Sequence, residues 1–247
     1  MGLKCAFGVA LAGTCIFGAA LPAFAAEFRI EGGLWNYRVS GFQDDHGTIT
    51  DLESFAPGTR RDGFLQIEYQ HRPSWWPDLA ASYTQVSGSG SQTNSGTTIG
   101  GITLPGTGST SSASGDFRDI DASARYAIHL GPILISPGLS VKSLRGHVTT
   151  SDSSGNQVDR SYDNTFPMLH TQITWPVGDF LRLAAQGDWI RGGDNEAYQY
   201  GASAELRLLG PLGLYGGWQQ RRYKVSASNS FLDARLRGWR YGLIIVF

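Results

Sequence analysis

The stretch RGWRYGLIIVF, Arg237 to Phe247, decides how the rest of the chain is read. Counting back from its end, every second residue is large and apolar: Phe247, Ile245, Leu243, Tyr241 and Trp239. The intervening set, Val246, Ile244, Gly242, Arg240 and Gly238, becomes smaller or polar towards its start. Successive side chains of a strand point to opposite faces, so this stretch is a strand with one apolar and one mixed face. Soluble strands share that alternation. This one also ends on Phe and carries Trp and Tyr on the same face.

Those features together look like the closing strand of a bacterial outer-membrane barrel, whose terminal aromatic is read by the barrel insertion machinery. The competing reading is a soluble barrel of lipocalin type, which would turn the apolar face inward. The start of the chain agrees with the membrane reading. Lys4 precedes an apolar run from Cys5 to Leu21, then Pro22-Ala23-Phe24-Ala25-Ala26, the layout of a signal peptide. Gly8, Gly13 and Gly18 interrupt the run, which suits a removed peptide better than a retained span. Ala12-Gly13-Thr14 before Cys15 is a poor lipobox. The expected division is a signal peptide over 1–26 and an outer-membrane β-barrel domain over 27–247.

Both cysteines, Cys5 and Cys15, lie in that peptide, so the barrel domain is expected to have neither disulfide nor thiolate metal site. The whole chain carries a formal charge of −1, and removing Lys4 makes it one unit more negative. There is no basic surplus to hold phosphate backbones, so nucleic acid is not an expected partner. After the first 26 residues no apolar run approaches the roughly 18 residues that a membrane helix needs.

The rest of the chain is a meander of short alternating segments. Expected strands cover 28–40, 63–71, 79–86, 117–128, 133–148, 166–175, 180–190, 198–208, 213–225 and 237–247. Ten strands is the preferred count, with eight and twelve as alternatives. The connections form two classes. Those at 72–78, 129–132, 176–179 and 209–212 are tight and rich in Pro and Gly. Those at 41–62, 87–116, 149–165, 192–197 and 226–235 are generally longer and hydrophilic. The classes alternate along the chain, as in up-and-down barrels with short periplasmic turns and longer extracellular loops. Ser87 to Gly115 has one biased composition, mostly Ser, Thr and Gly. It reads as a flexible exposed loop, with a small hairpin within Thr98 to Pro105.

Aromatic residues fall into two expected belts. Trp75, Trp76, Trp175, Phe180 and Phe247 sit at the short-turn ends, and Trp35, Trp189, Trp218 and Trp239 nearer the long-loop ends. The opposite face carries Glu68, Asp119, Asp121, Arg125, Lys142, Arg182, Asp188, Glu205, Arg207, Arg221 and Arg240. Both charge signs are present, as expected of a narrow lumen filled by ion pairs.

Several short pieces stand in one order: Leu34-Trp35, Phe64 to Pro73, Ser87-Gly88-Ser89-Gly90, Asp119-Ile120-Asp121, Phe166-Pro167-Met168-Leu169, Gly192-Gly193 and the terminal Phe247. In that order the chain resembles a family of small proteobacterial outer-membrane barrel proteins of unknown function, named for a Gly-Gly signature. Gly192-Gly193 and Gly32-Gly33 are both candidates for that signature. The resemblance implies an outer-membrane barrel and supplies no catalytic residues.

Chemistry-bearing residues are few. Asp119 and Asp121 share one face of a strand, and paired carboxylates can position a water, as in outer-membrane proteases. His170 reads as a lone strand histidine. His46 beside Asp44 and Asp45 could hold a metal, although a solvated acidic loop is the plainer reading. No Ser-His pattern of a lipid hydrolase, HExxH, CxxC or nucleophile elbow occurs. No catalytic, cofactor-binding or metal residue is assigned, and no cofactor is expected. The expectation is a non-enzymatic outer-membrane barrel with a filled lumen, structural or recognising through its extracellular loops. A narrow channel for ions or small solutes is the alternative, and an outer-membrane hydrolase ranks third. Expected partners are outer-membrane lipid, lipopolysaccharide and the insertion machinery.

Overall fold

The computed structural model describes residues 27–45, 48–55, 58–71, 76–94, 98–99, 102–103, 109–151, 157–192, 195–227 and 230–247. The expected signal peptide, Trp75 and His46 lie outside these residues. Ten long strands form: β1 Glu27–Asp45, β2 Arg60–Gln70, β3 Asp78–Asn94, β4 Ser109–Arg125, β5 Ile133–Ser151, β6 Gln157–Val177, β7 Leu181–Gly192, β8 Asn195–Leu209, β9 Leu212–Ala227 and β10 Ser230–Val246. Each pairs antiparallel with its sequence neighbours. β10 pairs with β1 from Arg29↔Val246 to Asp45↔Ser230, so the sheet closes on itself and leaves no edge among the ten strands. The backbones of Phe28 and Phe247 exchange two further bonds at the seam, 3.2 and 2.9 Å. Thr48–Asp51 folds back on the end of β1, and Ile128–Leu130 pairs with the start of β5.

Three of the short turns share one backbone device. Gly131, Gly178 and Gly210 sit at φ 62, 66 and 58°, a conformation that a residue without Cβ adopts freely. These turns fix one end of the strands close to the membrane. The other end is freer. β6 runs for 21 residues and β1 for 19, against roughly 9–11 needed to cross a bilayer, so the surplus projects on the loop side. This corrects the reading of 87–116 as a loop. Ser87 to Asn94 pairs in register with Asp116 back to Ser109, continuing the wall outward. The small hairpin is present, with Thr98–Ile99 against Ile102–Thr103.

The outward face of the closing strand carries Trp239, Tyr241 and Leu243, with Leu243 60% exposed, while Arg240 and Ile244 are buried inside. Leu65, Leu139, Val141, Leu169, Ile173 and Leu214 continue the apolar band around the wall. Trp175, Phe180 and Phe247 rim one end, and Trp189 and Trp239 face outward nearer the other. An apolar outer wall with a charged interior is the inverse of a soluble barrel, and it overturns the lipocalin-type alternative.

Trp35 corrects the expected belt. It lies in the lumen, fully buried, because its neighbours Leu34 and Asn36 take the outward positions in β1. Glycines bring the backbones close at this seam. A Cβ on Gly33 would stand 2.1 Å from the Tyr241 carbonyl oxygen, and one on Gly242 2.1 Å from that of Gly32. These facing glycines let the β1–β10 backbones curve tightly beside the large side chain.

Candidate functional site

The lumen is where this chain concentrates its chemistry, and it is built in tiers. Each strand contributes every second residue, so one tier collects side chains far apart in sequence.

The periplasmic tier centres on Glu68. Its carboxylate pairs with Arg125 and lies 3.8 Å from both Arg29 and Arg182. Glu205 pairs with Arg29 and, at 3.1 Å, with Arg182. Arg125 also donates to Gln172. Arg29 reaches Glu27 at 2.7 Å, and Arg207 meets Glu27 at 3.5 Å at the lumen mouth. Isolated, any of these buried ions would carry a desolvation cost of several kcal/mol; shared among several partners, the charges offset one another.

The middle tier centres on Asp119. Arg221 donates to it at 2.5 Å, Tyr223 Oη at 2.7 Å and Lys142 Nζ at 3.4 Å. Lys142 bridges onward to Asp121 at 2.7 Å and donates to Gln199 at 2.9 Å. The two carboxylates considered as a water-positioning pair are therefore both engaged by cations. His170 is not alone. Its Nδ1 donates to Asp188 at 2.7 Å, and Ser140 Oγ donates to the same oxygen at 2.7 Å. Serine and imidazole thus meet on the carboxylate rather than on each other, unlike an activated serine.

Arg240 is set apart. It is buried, its guanidinium lies 3.7 Å from the Phe64 ring centroid, and it donates to Gln219 at 3.4 Å. Among the described residues its Nε and Nη2 have no hydrogen-bond partner, nor has Gln219 Nε2 or His170 Nε2. Arg240 lines two small polar cavities, one shared with Glu31 and Gln219, the other with His170 and Asp188.

Towards the loops the lumen turns apolar. Leu144, Phe166, Met168, Ala197 and Tyr223 form one buried cluster, and Trp35, Tyr37 and Phe64 another; Leu236 packs against both. Sequence reading placed the lumenal charges correctly and missed this layer. The available signal was parity: Phe64 alternates in step with Gln66 and Glu68. Among the described residues no group of three or more His, Cys, Asp or Glu side chains is arranged to hold a metal. The acidic side chains beside His46 fall outside what is described.

A closed antiparallel ten-strand wall, apolar outside and charged inside, defines an outer-membrane β-barrel protein, and its band places it in that membrane. No protein-family model and no curated protein sequence matches the chain. The solved outer membrane protease OmpT from Escherichia coli is similar in fold, with a TM-score of 0.53 at 9% identity over 90% of this chain and 96% of that one. The translocator domain of the autotransporter NalP from Neisseria meningitidis aligns at TM-score 0.47 and 12% identity, over 89% of this chain and 88% of that one. Ail from Yersinia pestis aligns at 0.39 and 13%, over 90% and 99%.

Proposed function

We propose that this protein is a non-enzymatic outer-membrane barrel whose lumen is stoppered by its own side chains, acting structurally or by recognition through its extracellular loops. The observation that carries this reading is the apolar layer stacked on two ion-paired tiers, all built from side chains that project into the bore. Ten strands enclose a space close to what side chains can fill. Recognition then falls to the loop end, where the strands rise beyond the membrane. In this reading the chain belongs to the Gly-Gly signature family, supported by the order of its short sequence pieces. Its C-terminal strand, ending at Phe247, engages the insertion machinery. Purified protein in planar bilayers tests the stopper: the expected trace is silent, and large steady conductance would overturn it.

A narrow channel for ions or small solutes is the second reading. Arg240 favours it, since its free donors face polar cavities inside the wall. Small ion-selective steps that vanish in Arg240→Gln would establish that reading. For a hydrolase, the required result is an activity lost in Asp119→Asn or Asp121→Asn with the barrel still folded.

A further inference from the structure

The outward face of β9, β10, β1 and β2 carries a group of arginines just beyond the apolar band. Arg38 on β1 stands directly opposite Arg237 on β10, and Arg235 on β10 directly opposite Arg222 on β9. Arg61 on β2 stands opposite Asn36, to which its Nε donates at 3.0 Å. Asn36 in turn donates to the Tyr241 hydroxyl at 3.3 Å. Like charges held opposite each other across a ladder are destabilising unless something anionic joins them. Among the described residues the protein supplies little. Asp233 is taken by Arg222 through two bonds, 2.7 and 2.5 Å. Arg38, Arg235 and Arg237 have no ion pair among the described side chains.

Their height on the wall matters. Arg237 stands two residues before Trp239 on the same face, about 7 Å further towards the loop end. Trp239 is 64% exposed and belongs to the aromatic level, where acyl chains give way to headgroups. At the periplasmic end the described arginine on the rim, Arg207, turns to Glu27 at the lumen mouth instead. Among the described residues the basic surface therefore faces one leaflet. A different arginine pair, Arg118 opposite Arg145 on β4 and β5, has a carboxylate at hand, since Arg145 pairs with Asp163 at 3.1 Å.

We propose that this face is a docking site for the phosphorylated glycolipid of the outer leaflet, with Arg38, Arg235 and Arg237 holding its phosphates and Trp239 and Tyr241 lying against its acyl chains. Guanidinium groups suit this role, because their planar fork binds phosphate oxygens in pairs. The site rests on the membrane placement of the wall and does not depend on whether the lumen conducts.

Native mass spectrometry of the purified full-length barrel in nonionic detergent tests it. The probes are bisphosphorylated lipid A, the same lipid with its phosphates removed, and phosphatidylglycerol. The expected result is retention of lipid A, with the dephosphorylated form and phosphatidylglycerol each bound at least about tenfold more weakly. The triple variant Arg38→Gln, Arg235→Gln, Arg237→Gln should lose about tenfold or more for lipid A, and Arg118→Gln with Arg145→Gln should leave it within about twofold. Equal binding of the dephosphorylated lipid or of phosphatidylglycerol would overturn the proposal. So would an equal loss in the Arg118, Arg145 variant, which would mean diffuse charge rather than a site. If the triple variant does not fold, the three-lipid comparison on the unaltered protein decides.

Discussion

The two halves of the lumen solve the same packing problem with opposite chemistry. The periplasmic half is lined by Arg29, Glu68, Arg125, Arg182 and Glu205, a mesh in which every ion but Arg125 pairs with more than one other. The loop-side half is lined by Trp35, Phe64, Phe166, Met168 and Leu144, which form no ion pair, although Arg240 stacks over the Phe64 ring and Arg221 over Trp35. Asp119, with Tyr223 donating to it, sits where the two meet: the tyrosine ring belongs to the apolar cluster and its hydroxyl to the ionic tier. The difference teaches that rigidity and sealing are separable. An ion mesh is held by directional bonds and tolerates water between its members. Apolar packing is non-directional and excludes water, so it is the half able to close the bore.

Glu68→Ala should have the largest effect on stability. It leaves Arg125 without its carboxylate and deprives Arg29 and Arg182 of a neighbour, and breaking a buried ionic cluster costs about 3–5 kcal/mol. Denaturant titration in detergent, read by the gel shift between folded and boiled forms, measures it. If the halves are separable, this variant stays electrically silent in planar bilayers.

Phe166→Ala sharpens the contrast from the other side. It should destabilise by about 3 kcal/mol, as large-to-small core changes do. Unlike Glu68→Ala, it should also admit ions through the bore. Unchanged conductance, with the fold confirmed by the same gel shift, would place the seal elsewhere.

Tyr223→Phe acts at the boundary. It removes one charge-directed donor from Asp119 and keeps the ring, so a loss of about 1.5 kcal/mol without new conductance is expected. The smallest effect should come from Arg145→Ala. That ion pair lies on the outside of the wall with both partners about two-thirds exposed, and its loss should move the unfolding free energy by no more than about 0.5 kcal/mol.

Much of this site was legible in the chain because strand alternation is local. Asp119 and Asp121 had to share a face, and so did Gln66 and Glu68, whatever the rest of the molecule did. Trp35 was misplaced because an aromatic near a strand's loop end fits either a membrane belt or a packed interior, and alternation alone does not choose between them. That Gly33 and Gly242 face each other with no space for a Cβ on either is visible only once β10 lies beside β1. His170 looked solitary because its partners Asp188 and Ser140 lie on the two neighbouring strands.

By itself, then, the sequence determined the membrane-spanning part of the wall: the ten strand cores, where the short turns fall and, outside β1, which face of each strand is apolar. Period-two patterning and turn glycines act over a few residues, so they can be read without knowing the fold. The tertiary structure alone decided what meets across the bore, such as Arg29 with Glu205, 176 positions apart. That pairing depends on ring closure and on the stagger between strands, which no single strand records.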